Sequence, residues 1–195
     1  KLFFYMKDVI FFDIDTQYDF MHKDGKFYVQ DAEEIIPNLG SITQFALINN
    51  ITVFASIDNN GFKKISHKWN QLKIPETRLD NAAFVPNKKL THEKIIQLKK
   101  EDKLLIEKHE HNAFSNPNLK LILNGAKKAY VYGVATDYCI KEVVLELRSM
   151  KIETYVIKDA IKPVSKKMEN KHLALFMKKG AKFLTTQELL SKKEL

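Results

Sequence analysis

Cysteine is nearly absent: Cys139 is the only one in 195 residues. One thiol excludes an intramolecular disulfide, so nothing in the chain demands an oxidising compartment. Arginine is almost as scarce, with Arg78 and Arg148 alone beside the lysines that carry the formal net charge of +8. Sequence-reading nucleic-acid sites lean on arginine forks and stacking aromatics, and no such motif occurs. Lysine doublets such as 63–64, 99–100 and 178–179 are spread along the chain rather than gathered in one arm. A solvated lysine-rich surface accounts for them, and no nucleic-acid partner is expected. Long apolar runs are missing too. The run Leu2–Met6 is too short for a signal h-region, and nothing approaches the ~20 residues of a membrane span. The chain reads as soluble and cytoplasmic, with no membrane partner. No repeat, low-complexity segment or shift in composition divides it, so residues 1–195 read as one domain.

Short buried runs alternating with helical patterns fill that domain. Residues 8–15, 51–57, 103–108, 129–132, 152–157 and 181–184 read as strands. Helical periodicity covers 32–49, 91–100, 116–124, a stretch from about 139, 165–179 and 186–193. Strands and helices in alternation mean a parallel sheet covered on both faces. The expected fold is a doubly wound α/β sheet of about six mainly parallel strands. Residues 59–90 are irregular, and a loop of that length in a compact domain is usually a pocket wall or lid.

In such a sheet the carboxyl ends of the strands share one edge, where ligands bind. That edge collects Asp13 and Asp15, then Asp58, Lys108 and Cys139. Thr136 or Asp137 is expected to cap a helix with Cys139 in its first turn. A helix start favours thiolate over thiol. A carboxylate can take the thiol proton, an ammonium favours the thiolate, and N–H groups at the turn can hold an oxyanion. None of the six histidines is a chain neighbour of the cysteine, so any pairing with it is long-range.

Three segments carry a family resemblance. Asp15-Thr16-Gln17-Tyr18-Asp19-Phe20 is similar to a D-x-Q-x-D-F opening. Lys108 with Asn112-Ala113-Phe114 and Leu119 is similar to a K-x-x-x-(S/N)-A-F…L segment. Gly133 to Ile140 is similar to a G-V-A-T-D-x-C-V turn. In this order they resemble the isochorismatase-like cysteine hydrolases, the superfamily that includes nicotinamidase and N-carbamoyl amidohydrolases. The resemblance runs from about residue 9 to residue 184. It implies Asp15 as general base, Cys139 as nucleophile and Lys108 as the cation between them. It also implies an oxyanion hole from the N–H groups of Ala135 and Cys139, with a cis peptide between Val134 and Ala135. Phe20, Trp69 and Tyr138 match positions that line the substrate pocket, with core packing the competing account for Phe20 and Trp69.

Departures from the family pattern narrow the reading. Nicotinamidases begin a metal site D-x-H after the second strand, whereas this chain has Asp58-Asn59-Asn60. Asp58 with His67 alone does not make a site, so neither metal nor cofactor is expected. Asp13 is an extra acid. Strand alternation puts it on the same side as Asp15, one step deeper. The Asp13-Ile14-Asp15 run also resembles the D-x-D opening of haloacid dehalogenase-type phosphatases. The leading expectation is hydrolysis of a small-molecule amide or carbamoyl C–N bond through a Cys139 thioester. A vinyl-ether hydrolase, a phosphatase using Asp13 and Asp15, and a catalytically silent binding member are the alternatives. A homo-oligomer is expected, with specificity set by residues 59–90 and by a neighbouring subunit.

Overall fold

The computed structural model describes residues 7–59, 69–192 and 195. Seven strands are present among them: β1 (Val9–Ile14), β2 (Thr52–Asp58), β3 (Ala83–Val85), β4 (Lys103–Lys108), β5 (Lys128–Val134), β6 (Glu153–Lys162) and β7 (Lys182–Leu184). They form one sheet in the order β3-β4-β2-β1-β5-β6-β7, and every pairing is parallel. The helices are α1 (Tyr18–Met21), α2 (Ile36–Ile48), α3 (His92–Leu98), α4 (Leu119–Leu123), α5 (Cys139–Ser149), α6 (Glu169–Lys178) and α7 (Thr186–Leu190).

Side-chain alternation along the central strands builds two cores. Ile10, Phe12 and Ile14 of β1 point with Ala129 and Val131 of β5 into a layer closed by α3, α4, α5 and α6. Phe11, Tyr130 and Tyr132 point the other way, against Leu39, Ile42 and Ala46 of α2 and Leu189 of α7. A strand buried on both faces needs apolar residues at successive positions, which is why β1 reads Val-Ile-Phe-Phe. From central β1 the chain moves outward through β2 to edge strand β3, steps back to β4 between them, then crosses to β5 on β1's other side. That reversal beside β1 is the topological switch point, where strand ends leave a crevice.

The expected sheet of about six strands has seven, because Ala83–Val85 adds a three-residue edge strand inside the irregular stretch. Two local expectations are corrected. Neither Thr136 nor Asp137 caps α5. The Asp137 carboxylate instead accepts the N–H groups of Val164 and Ser165, both at 2.9 Å, and ties the turn after β6 to the turn after β5. The pattern at 116–124 yields only the short α4, after a 3-10 turn at Ala113–Ser115. No helix among the described residues is long and apolar enough to cross a membrane.

Candidate active site

Gly133 fixes the turn that carries the cysteine. Its φ is +116°, and a Cβ there would lie 2.1 Å from the carbonyl oxygen of Ile14. Only glycine lets β5 close against the end of β1 at this point. The next peptide, Val134–Ala135, is cis. The chain then turns through Tyr138, whose N–H donates to the Ala135 carbonyl, and α5 begins at Cys139. Neither the Ala135 nor the Cys139 N–H donates to a backbone carbonyl among the described residues, and both residues line the cleft described below. Free N–H groups at a helix start are what an oxyanion requires.

Lys108, at the end of β4, is fully buried and stands between two carboxylates and the sulfur. Its Nζ lies 2.9 Å from Asp15 Oδ2, 2.8 Å from Asp58 Oδ2 and 3.6 Å from Cys139 Sγ. It also donates to the Glu110 carbonyl. Burial alone would lower its pKa, but Asp15, Cys139 and Asp58 outweigh that and hold the ammonium charged. Ser56 of β2 sets the Asp15 carboxylate. Its hydroxyl donates to Asp15 Oδ1 at 2.6 Å and accepts the Asp15 N–H at 3.2 Å.

The sulfur itself departs from the sequence-based expectation. Burial pushes the Cys139 thiol well above its ordinary pKa; the negative Asp15, which accepts its hydrogen bond, adds to the rise, and Lys108 works against it. The resting group is therefore a thiol facing a carboxylate, not a preformed thiolate. The helix start and one ammonium do not offset a nearly buried sulfur beside an acid.

Asp13 meets a different lysine. Its Oδ2 lies 2.7 Å from Lys73 Nζ, with both side chains wholly buried. Thr16 Oγ1 donates to Asp13 Oδ1 at 2.8 Å, accepts from Lys73 at 2.6 Å, and takes the Thr77 hydroxyl at 2.7 Å. Burial raises the Asp13 pKa, with Lys73 opposing. Strand alternation does not carry past Ile14, because Asp15 adopts a left-handed φ of 49°. The two acids thus part company instead of stacking. A D-x-D phosphatase needs its first acid open to phosphate and magnesium, and here that acid is sealed. The phosphatase alternative is withdrawn.

Gln17 joins the floor to the wall. Its side chain accepts the Asp58 N–H at 2.7 Å and donates to the Asp58 carbonyl at 3.2 Å, while its backbone bridges Lys73 in antiparallel fashion. Above this floor opens a cleft of about 680 Å³, lined by Asp15, Asp58 and Cys139 at the base and by aromatic and aliphatic side chains higher up. Phe20 and Tyr138 both line it. The expectations for the Trp69 side chain and for His67 lie outside the described residues. His111, Ser56 and Lys73 were not anticipated. His111 is the long-range histidine: its Nδ1 lies 4.0 Å from Cys139 Sγ, and its ring stands 5.1 Å from that of Tyr138.

The isochorismatase domain family matches residues 9–188. The chain belongs to the isochorismatase family. Solved structures with this fold include an isochorismatase-like hydrolase from Alkaliphilus metalliredigens, 17% identical with a TM-score of 0.73, covering 96% of this chain and 99% of that one. The nicotinamidase of Staphylococcus aureus is 18% identical with a TM-score of 0.69, covering 91% of this chain and 99% of that one. The pyrazinamidase of Pyrococcus horikoshii, solved in complex with zinc, is 21% identical with a TM-score of 0.68, again covering 91% and 99%. Among curated proteins, no sequence matches the chain.

In this isochorismatase domain the sequence carries Asn60 where the D-x-H pattern has its histidine. Asp58 accepts from Lys108, and Asn59 Nδ2 donates to Glu107 Oε1 at 2.7 Å. The one trio of metal-donor side chains among the described residues is Asp58, His111 and Cys139, with ligand atoms within 4.8 Å of one another.

Proposed function

We propose that this chain is a cysteine hydrolase that cleaves a small-molecule amide or carbamoyl C–N bond. The observation that carries the reading is the juxtaposition of Asp15, Lys108 and Cys139, from three strand ends, on the floor of one cleft. Asp15 accepts the thiol proton as sulfur attacks the substrate carbonyl carbon. The N–H groups of Ala135 and Cys139 hold the resulting oxyanion. Protonated Asp15 returns the proton to the leaving nitrogen, the C–N bond breaks, and an acyl thioester remains on Cys139. Asp15, again a carboxylate, takes a proton from water as its oxygen attacks the thioester. The acid departs and the thiol is restored.

Lys108 stays cationic throughout. It offsets negative charge wherever the proton stands, on the sulfur side or the carboxylate side. A high resting thiol pKa suits this scheme, because the proton moves to a base already in contact when the substrate displaces water. No step calls on a cofactor. Phe20, Phe27, Tyr28 and Tyr138 make the upper cleft suited to a flat or apolar group beside the scissile bond.

The test is a panel of small primary amides and carbamoyl compounds, with the acyl adduct detected by intact mass under rapid quench. The expected result is a covalent adduct on wild type and none on Cys139→Ser. Turnover by Cys139→Ser at the wild-type rate would remove the thioester from the mechanism.

A further inference from the structure

We propose that Cys139, His111 and Asp58 form a zinc-binding site that captures the nucleophile itself. The three donors come from separate elements: the start of α5, the segment after β4 and the end of β2. Their ligand atoms nevertheless lie within 4.8 Å of one another, so one ion can sit among them after small side-chain adjustments. Thiolate, imidazole and carboxylate are the zinc donor set, and three protein ligands leave a fourth position for solvent. Cys139 and Asp58 are buried at the floor, whereas His111 is exposed at the mouth. An ion entering from solvent meets the imidazole first and the sulfur last.

Binding replaces the thiol proton with zinc: the S–H bond breaks, a sulfur–zinc bond forms and one proton leaves to solvent. This set differs from a D-x-H arrangement because it includes the sulfur. Lys108 sets the strength. Its ammonium already contacts Asp58 and the sulfur at 2.8 and 3.6 Å, so it competes with the ion for the same two donors. The site is therefore dissociable rather than structural. The inhibitory consequence, that a metal-loaded sulfur cannot attack a carbonyl, rests on the hydrolase reading; the binding itself does not.

The experiment uses cobalt as a spectroscopic stand-in for zinc on the full chain under reducing conditions, without substrate. The expected result is a near-ultraviolet sulfur-to-cobalt charge-transfer band together with the visible bands of four-coordinate cobalt. Zinc should displace both, and alkylation of Cys139 with iodoacetamide before titration should abolish the charge-transfer band. His111→Ala changes an exposed side chain and leaves the core intact, and it should weaken binding at least about 10-fold, since even indirect supporting contacts in metal sites are worth 10–100-fold. Absence of the charge-transfer band, or affinity unmoved by His111→Ala, would overturn the site. A band in a protein that hydrolyses no amide would retain the metal site and reject the hydrolase.

Discussion

Asp15 with Lys108 and Asp13 with Lys73 are the same chemical pair, buried to almost the same depth and two residues apart along the chain. They differ in what surrounds them. The Asp13–Lys73 pair is enclosed by the Thr16 and Thr77 hydroxyls, with one acid for one ammonium. Around Lys108 stand two carboxylates and a thiol, and the group opens onto a cleft. A balanced, closed pair holds structure. A pair with an extra carboxylate and a transferable proton can do chemistry. The sign and count of the neighbours separate the two, not the burial of the residues.

The largest separation comes from changing each acid alone. Asp15→Asn should slow acyl-adduct formation by about 10²–10⁴-fold, the usual worth of a general base. Asp13→Asn should leave that rate within about tenfold per folded molecule. Equal losses in quench-flow mass measurements would mean that the two pairs share one role.

Next in size is the cost of opening the closed pair. Lys73→Met leaves a buried carboxylate without its partner and should lower stability by about 3–5 kcal/mol in urea unfolding. Joining it with Asp13→Leu should recover most of that loss, because an apolar replacement removes the stranded charge as well. No recovery in the double variant would show that the pair is not an independent unit.

Ser56→Ala gives a smaller effect. It removes the 2.6 Å hydrogen bond that sets Asp15 Oδ1. A loss of about 1–1.5 kcal/mol, roughly tenfold in acylation rate, is expected, with the melting curve little changed. A rate equal to wild type would mean that Lys108 alone orients the acid.

The subtlest comparison lies in sign. A thiol whose pKa is raised by burial and by Asp15 ionises only at alkaline pH, so iodoacetamide alkylation should stay slow at neutrality and climb above the ordinary cysteine range. Removing the raising charge with Asp15→Asn should move the profile to lower pH. Removing the lowering charge with Lys108→Met should move it higher. Both variants shifting in one direction would contradict the electrostatic assignment.

Much of this arrangement was legible before any coordinates. Buried runs such as Ile10–Phe12 and Tyr130–Tyr132 announced central strands, and three ordered motifs named Asp15, Lys108 and Cys139. What stayed hidden lacked local pattern. The β3 strand is three residues, half-buried at the sheet edge, and so short a run carries no period. Asp137 looked like a helix cap because a cap and a loop tie use the same acceptor. Lys73 sits among loop residues, where sequence cannot distinguish a buried lysine from a surface one. The one available signal was Asp13, an acid in an apolar strand that had to find a cation somewhere. His111 had none beyond lying three residues past Lys108.

Gln17 has a consequence for how such an enzyme could change its diet. By gripping the Asp58 backbone with its side chain and Lys73 with its main chain, it brings both ends of the 59–72 segment to one point. A segment whose ends are already joined tolerates changes of length cheaply, about 0.6 kcal/mol for each doubling. New sequences can therefore be spliced between these anchors while Asp15, Asp58 and Lys108 keep their places. The floor is a fixed socket, and the stretch between the two anchors is an exchangeable part.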